Sequence, residues 1–119
     1  MDDSRSVNLD DLARELLADA AMQSALRAAH TLPHPVDGLR QTVIALIAGQ
    51  ELAEHESPGP ATLLVLRGSV RLFSDEATDV LGAHQISPIP NRRHSLQADE
   101  DSVVLLSVAV PQRAPADAR

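Results

Sequence analysis

The apolar residues of this chain follow two different spacings, and the first predicts a helix. The helical spacing spans residues 9–24, with charged residues on the opposite face. The apolar face is carried by Leu9, Leu12, Leu16 and Leu17. Asn8 is a suitable N-cap, and Asp11 falls in the first turn, where the helix dipole favours an acid. This leucine face packs either on the rest of the domain or on a second copy of the protein.

After residue 24 the spacing changes to short apolar runs separated by turn residues. The first runs are "RAAHTL", "LRQTVIAL" and the alternating "ELAEHE". We expect "ATLLVLRG" and "SVRLFS" to pair as a hairpin around Gly68. "DVL", "HQISPI", "HSLQA" and "SVVLLSVAV" complete the series. Short strands at regular spacing predict an antiparallel sandwich or barrel, so the fold class is all-β with an N-terminal α-helix.

The length of 119 residues is suited to one hydrophobic core. We divide the chain into an N-terminal helical arm (1–24), a β-barrel (25–110) and a polar, Pro/Ala-rich tail (111–119) that we expect to be disordered. The absence of cysteine excludes disulfides, thiolate metal sites and cysteine nucleophiles. The acidic start and the lack of a long apolar run predict no signal peptide and no membrane partner, so we expect a cytoplasmic protein.

Charge and aromatic content narrow the range of partners further. The net charge is -7, and the one dense basic spot is Arg92 with Arg93. Phe73 is the single aromatic residue. A nucleic-acid partner is therefore not expected, since neither a basic footprint nor stacking platforms are present. Any ligand must be held by aliphatic walls and a few polar groups.

The segment from Arg40 to Val110 resembles the cupin family, whose first motif is carried here by "GQELAEHESPGPATLLVLRG". Gly49, His55 and Gly68 match that motif in identity and spacing. Ser57 stands where the family has a second histidine, and Ala61 stands where it has a glutamate. The resemblance implies a cupin double-stranded β-helix, which is a jelly-roll barrel.

The second cupin motif is matched by Gly82, by Pro88 or Pro90, and by His94. Asn91 occupies the position of the usual turn glycine, a mild change because asparagine tolerates positive φ. The resemblance implies that His55 and His94 converge inside the barrel.

Metal-binding cupins present three imidazoles and one carboxylate, so this chain retains two of four ligands. Two imidazoles without a carboxylate hold a divalent ion weakly. We therefore expect no cofactor, or at most a weakly bound Ni, Zn or Fe ion on His55 and His94. The flanking Glu54 and Glu56 do not restore the site, because alternation along a strand places them on the other face.

Three functions stay open, and the sequence leaves undecided whether the protein is an enzyme. In the first, His55, Ser57, His94 and Arg93 bind a small polar or anionic ligand in the barrel. In the second, the two histidines serve a metal-dependent enzyme of the dioxygenase or isomerase type, or act as acid and base without metal. In the third, the barrel is filled by its own side chains and is a structural or interaction module. We expect a homodimer in each case, because the barrel leaves sheet edges that need covering.

Overall fold

The residues that the structure describes form one helix and nine strands. The computed structural model describes residues 6–33, 36–55, 59–74, 77–89 and 94–110, and for residues 53–55 it describes the backbone alone. The elements are α1 (Leu9–Met22), β1 (Arg27–Thr31), β2 (Leu39–Leu46), β3 (Glu51–His55), β4 (Ala61–Arg67), β5 (Ser69–Ser74), β6 (Thr78–Gly82), β7 (Ile86–Pro88), β8 (His94–Ala98) and β9 (Ser102–Ala109). The predicted tail, 111–119, lies outside the described residues, and the predicted division of the chain stays a prediction.

Helix α1 begins at the predicted residue and ends two residues before the predicted end. The Asn8 side chain accepts a hydrogen bond from the Asp11 N–H at 2.9 Å, which confirms the predicted cap. Ala13, Leu16 and Ala20 are the buried helix residues. Alanines at two of these three positions let the helix approach the sheet closely, a detail that the leucine pattern did not predict.

The helix packs on its own domain, which decides between the two alternatives left by the sequence. Its buried residues meet the outer face of the β2–β9 pair through Val43, Ala45, Val103 and Leu105. Leu9, Leu12 and Leu17 flank this contact and are partly buried. The outer face of this sheet is therefore covered by helix rather than left to solvent.

The strands form two antiparallel sheets, as predicted for a jelly roll. The five-stranded sheet has the order β1-β2-β9-β4-β7, and the four-stranded sheet has the order β3-β8-β5-β6. Aliphatic side chains from both sheets fill the interior, among them Leu46, Val65, Val70 and Leu96. The β2, β4 and β9 residues that alternate with these interior residues face the helix.

The predicted hairpin around Gly68 is wrong. β4 pairs with β7 and β9, whereas β5 pairs with β6 and β8, so the two strands belong to different sheets. Gly68 has a φ of 85°, and a Cβ there would overlap Ser102 and the Asp101 carbonyl. This glycine turns the chain from one sheet into the other, and sequence spacing alone does not separate such a corner from a hairpin.

A buried hydroxyl fixes this corner. Ser102 is fully buried, and its Oγ donates to the Glu100 carbonyl at 2.7 Å and accepts from the Ser69 N–H at 3.1 Å. Within the described part of the chain, no buried side-chain nitrogen or oxygen lacks a hydrogen-bond partner. The corner therefore combines tight packing with satisfied polar groups, which favours one geometry.

Candidate functional site

Three polar residues form one row across the four-stranded sheet. In the antiparallel ladders, His94 on β8 pairs with His55 on β3 and with Ser74 on β5. Residues directly opposite each other in an antiparallel pair lie on the same face of the sheet. The next row on that face is Leu52, Leu96 and Leu72. His94 and Ser74 therefore belong to the next layer beyond the aliphatic core, and the backbone of His55 lies opposite His94.

A β-bulge sets this register. Leu52 pairs with Leu96, and the next paired residues are His55 and His94, so β3 advances three residues while β8 advances two. With uninterrupted pairing, Glu54 rather than His55 would stand opposite His94. The bulge thus brings the two motif histidines into register, which simple alternation along "ELAEHE" does not predict.

His94 is buried at the edge of a small aliphatic cavity. The exposed fraction of His94 is 5%, whereas His30 and His84 are exposed on the surface. The cavity measures about 30 Å³, and leucines and isoleucines from both sheets line it, among them Leu52, Leu63 and Leu72. His94 is the one polar side chain among its described lining residues. An imidazole can direct an N–H or a lone pair at a small polar group.

Ser74 is a residue of this row that the sequence reasoning missed. It is half-buried and follows Val70 and Leu72 on the interior face of β5. Its hydroxyl donates to the Ala77 carbonyl at 3.3 Å. The alternation of "SVRLFS" could have placed it on the inner face, but only the β5–β8 register places it beside His94.

Ala61 occupies the interior-facing side of β4, two and four residues before the buried Leu63 and Val65. A methyl group thus stands at the position where the cupin resemblance implies a metal-binding carboxylate. Within the described ranges, no group of three or more His, Asp or Glu residues is arranged to hold a metal ion.

The predicted ligand set is described only in part. His94 is buried at the cavity, and the backbone of His55 lies directly opposite it. Ser57 and Arg93 lie outside the described residues, as do Glu56 and Asn91. The assignment of His55, Ser57, His94 and Arg93 as ligand-binding residues stays a prediction.

Comparison with known proteins identifies solved structures that share this fold. No known family profile matches the chain, and no curated protein matches it. A conserved protein of unknown function from Streptococcus pyogenes is 32% identical, with 76% of this chain and 80% of that chain aligned and a TM-score of 0.67. A cupin-2 domain protein from Shewanella frigidimarina has a TM-score of 0.67 at 13% identity, covering 88% of this chain and 95% of that one.

An enzyme also shares the fold. Salicylate 1,2-dioxygenase from Pseudaminobacter salicylatoxidans has a TM-score of 0.71 at 18% identity, and the aligned part covers 83% of this chain and 33% of that chain. At this identity the likeness extends to the fold and not to the activity.

The two-sheet jelly roll and its structural relatives define the class of protein. This chain is a small cupin-domain protein, and it belongs to the same family as the Streptococcus pyogenes protein of unknown function. Among the described residues, no helix is long and apolar enough to cross a membrane.

Proposed function

We propose that this cupin binds a small anionic or polar ligand at the His94 end of its barrel and does so without a tightly bound metal. The observation that carries the proposal is the buried His94 imidazole, placed on an aliphatic cavity and paired in register with His55. Polar groups are few there, and a low-polarity wall strengthens each hydrogen bond that a ligand makes. Ser57 and Arg93 complete the proposed set.

The cavity volume limits what can enter. About 30 Å³ is close to the share of one water molecule in liquid water, so only a group of a few atoms fits beside His94. A carboxylate or a carbonyl is of that size and accepts hydrogen bonds from an imidazole and a hydroxyl. We therefore propose a ligand whose polar head enters the cavity while the rest of it stays at the mouth of the barrel.

Weak metal binding is part of the same proposal. Ala61 removes the anionic ligand, and Ser57 replaces an imidazole with a hydroxyl. A divalent ion would then be held by two neutral imidazoles with no charge compensation from a carboxylate. A metal-dependent enzyme of the dioxygenase or isomerase type is the second candidate, and the pairing of His55 with His94 across β3 and β8 is the observation that favours it.

A filled barrel with a structural role is the third candidate. Two features of the cavity favour it. The cavity is small, and seven of its eight described lining residues are leucine or isoleucine. A homodimeric state and a cytoplasmic location belong to the proposal under each of the three functions.

An NMR titration separates the first candidate, ligand binding, from the third, the filled barrel. Formate and acetate are added to ¹⁵N-labelled, chelator-treated protein while the imidazole and backbone resonances are followed, with chloride at equal ionic strength as the reference. We expect saturable shifts at His94 and at residues of its row, and their loss in His94→Gln. His30→Gln is the matched control, because His30 is an exposed strand histidine. Shifts that never saturate would support the filled barrel instead, and saturable shifts that persist in His94→Gln would contradict the proposed role of His94.

A further inference from the structure

Arg40 is a cation on the interior face of the barrel that the proposed ligand set does not include. Along β2, Val43 and Ala45 belong to the cluster under the helix. Leu46 belongs to the barrel core, and Ile44 packs against it. Successive side chains of a strand point to opposite faces, so the even-numbered residues of β2 face the interior. Arg40 therefore leaves the five-stranded sheet on the side of the barrel interior.

The register across the five-stranded sheet connects Arg40 to the cavity beside His94. Arg40 pairs with Val108, and Val108 pairs with Ala61 on its other side. The Ile89 N–H donates to the Ala61 carbonyl at 2.9 Å, which extends this row beyond β4. Ile89 is one of the residues that line the cavity together with His94. The row thus borders the cavity, and Arg40 is its member on β2.

Arg40 and His94 lie at the same end of the barrel. β2 ends at Leu46, β3 starts at Glu51 and a short turn joins them, so these two residues mark one end. Arg40 is near the start of β2, and His55 is the last residue of β3, so both lie at the other end. His94 pairs with His55 and lies there too. This end is the mouth of the barrel.

Arg40 lies further out than His94. Ile44 and Leu96 line the same cavity from the two sheets. Arg40 is four residues from Ile44, and His94 is two residues from Leu96, each counted toward the mouth. Residues that share a face repeat about every 7 Å along a strand, so Arg40 is about one such step further out. The exposure of the side chains agrees with this order, since Arg40 is exposed and His94 is buried.

The Arg40 guanidinium differs from those of the other described arginines. Arg14, Arg67 and Arg71 each form a salt bridge with an aspartate. The Arg27 side chain donates to a backbone carbonyl. Among the described residues, no carboxylate or carbonyl pairs with the Arg40 guanidinium. In a chain of net charge -7, such a cation at the mouth of the barrel favours an anionic group.

We propose that the ligand of this site is a short dicarboxylate, with one carboxylate beside His94 and the other on Arg40. The inference rests on the proposed function, because it assumes that a carboxylate occupies the cavity. Arginine binds a carboxylate through two parallel hydrogen bonds, so it suits the outer group. A separation of one step along a strand matches a flexible chain of about five carbons. Arg40 therefore selects dicarboxylates over monocarboxylates.

Glutarate, acetate and the monomethyl ester of glutarate are the probes, titrated into ¹⁵N-labelled wild-type protein, Arg40→Gln and Arg40→Lys. We expect glutarate to bind the wild type about tenfold or more tightly than acetate does, because a second charge-assisted contact forms. Arg40→Gln should reduce the affinity for glutarate to that for acetate and leave acetate binding nearly unchanged. Arg40→Lys should recover part of the difference. The monomethyl ester has the length of glutarate with one charge, so it should bind like acetate in all three proteins.

Arg27→Gln is the matched control. Arg27 pairs with Leu46, so it lies on the same face of the sheet at the opposite end of the barrel, and its replacement should leave glutarate affinity unchanged. Equal glutarate affinity in the wild type and Arg40→Gln would overturn the role of Arg40, and saturable acetate shifts at His94 in the same proteins would leave the proposed function standing. If neither acetate nor glutarate bound saturably, both proposals would be overturned together.

Discussion

At the scale of single residues, Ala61 stands where the cupin resemblance implies a metal-binding glutamate. Its methyl group shares the interior-facing side of β4 with Leu63 and Val65. The double change Ser57→His with Ala61→Glu restores an imidazole and the anionic ligand. We expect it to raise affinity for nickel or zinc by about 100-fold or more, as measured by isothermal titration.

A matched variant tests whether the gain in metal affinity depends on placing the carboxylate at position 61. Thr62 is exposed on the opposite face of the same strand, so Ser57→His with Thr62→Glu adds the same groups but directs the carboxylate outward. This variant should bind metal no more tightly than Ser57→His alone. If both double variants gained equal affinity, the inward placement of residue 61 would be wrong.

The sequence predicted part of the candidate site at this scale. His94 follows from the spacing of the second motif, and the structure finds it buried. Ser74 could not be predicted, because its place beside His94 depends on pairing between strands that are 20 residues apart. The resemblance implied that His55 and His94 converge, but it did not imply that they pair directly across β3 and β8, and the bulge that produces this pairing is a backbone feature with no local residue signal.

At the scale of secondary-structure elements, two motif glycines have different structural roles. Gly49 and Gly68 both have positive φ, of 89° and 85°. A Cβ at Gly49 meets nothing within 4 Å, whereas one at Gly68 overlaps Ser102 and the Asp101 carbonyl at the β4–β5 corner. Replacement at the first position adds backbone strain alone, and replacement at the second adds a steric clash as well.

This difference gives a stability prediction for the corner. Gly49→Ala should lower the free energy of unfolding by about 1–2 kcal/mol, from the strained φ alone. Gly68→Ala should lower it by about 2–5 kcal/mol, because overpacking adds to the strain. Urea denaturation followed by circular dichroism measures both values. Equal losses in the two variants would mean that the corner can adjust to a side chain.

The elements themselves were largely predictable from the sequence, and their pairing was not. The helix, its Asn8 cap and the apolar runs that become strands each have a local signal of periodicity or turn chemistry. The Gly68 turn has the local signal of a hairpin, yet β4 and β5 lie in different sheets. Packing of two sheets around one core decided that connection, and no short window of sequence contains this information.

At the scale of the whole molecule, β1 leaves an open edge on the five-stranded sheet. The Leu32 N–H donates to the Gln41 carbonyl, and hydrogen-bonded pairs alternate along an antiparallel ladder. Arg27, Ala29 and Thr31 therefore direct their backbone N–H and C=O groups away from β2. Since the apolar face of the helix is occupied by its own sheet, this edge is the better candidate for the proposed homodimer, through antiparallel pairing with β1 of a second copy.

Ala29→Pro tests whether the protein dimerises through the β1 edge, and it does so without removing a β1–β2 hydrogen bond. Proline at an edge position deletes one outward N–H donor and is tolerated when that donor faces away from the sheet. Sedimentation should give twice the chain mass of 12.7 kDa for the wild type and for Ala29→Ser, and a single chain for Ala29→Pro. A monomeric wild type, or a proline variant that dimerises unchanged, would exclude pairing through β1.

The central claim is that the barrel holds a small anion beside His94 and no tight metal. Its most direct test is a high-resolution crystal structure of protein purified without chelator and equilibrated with acetate. The account predicts density for a carboxylate within about 3.2 Å of an imidazole nitrogen of His94, and no anomalous signal from a metal between His55 and His94. A fully occupied metal ion at that position would contradict the account, and so would aliphatic side chains that fill the cavity in the presence of acetate.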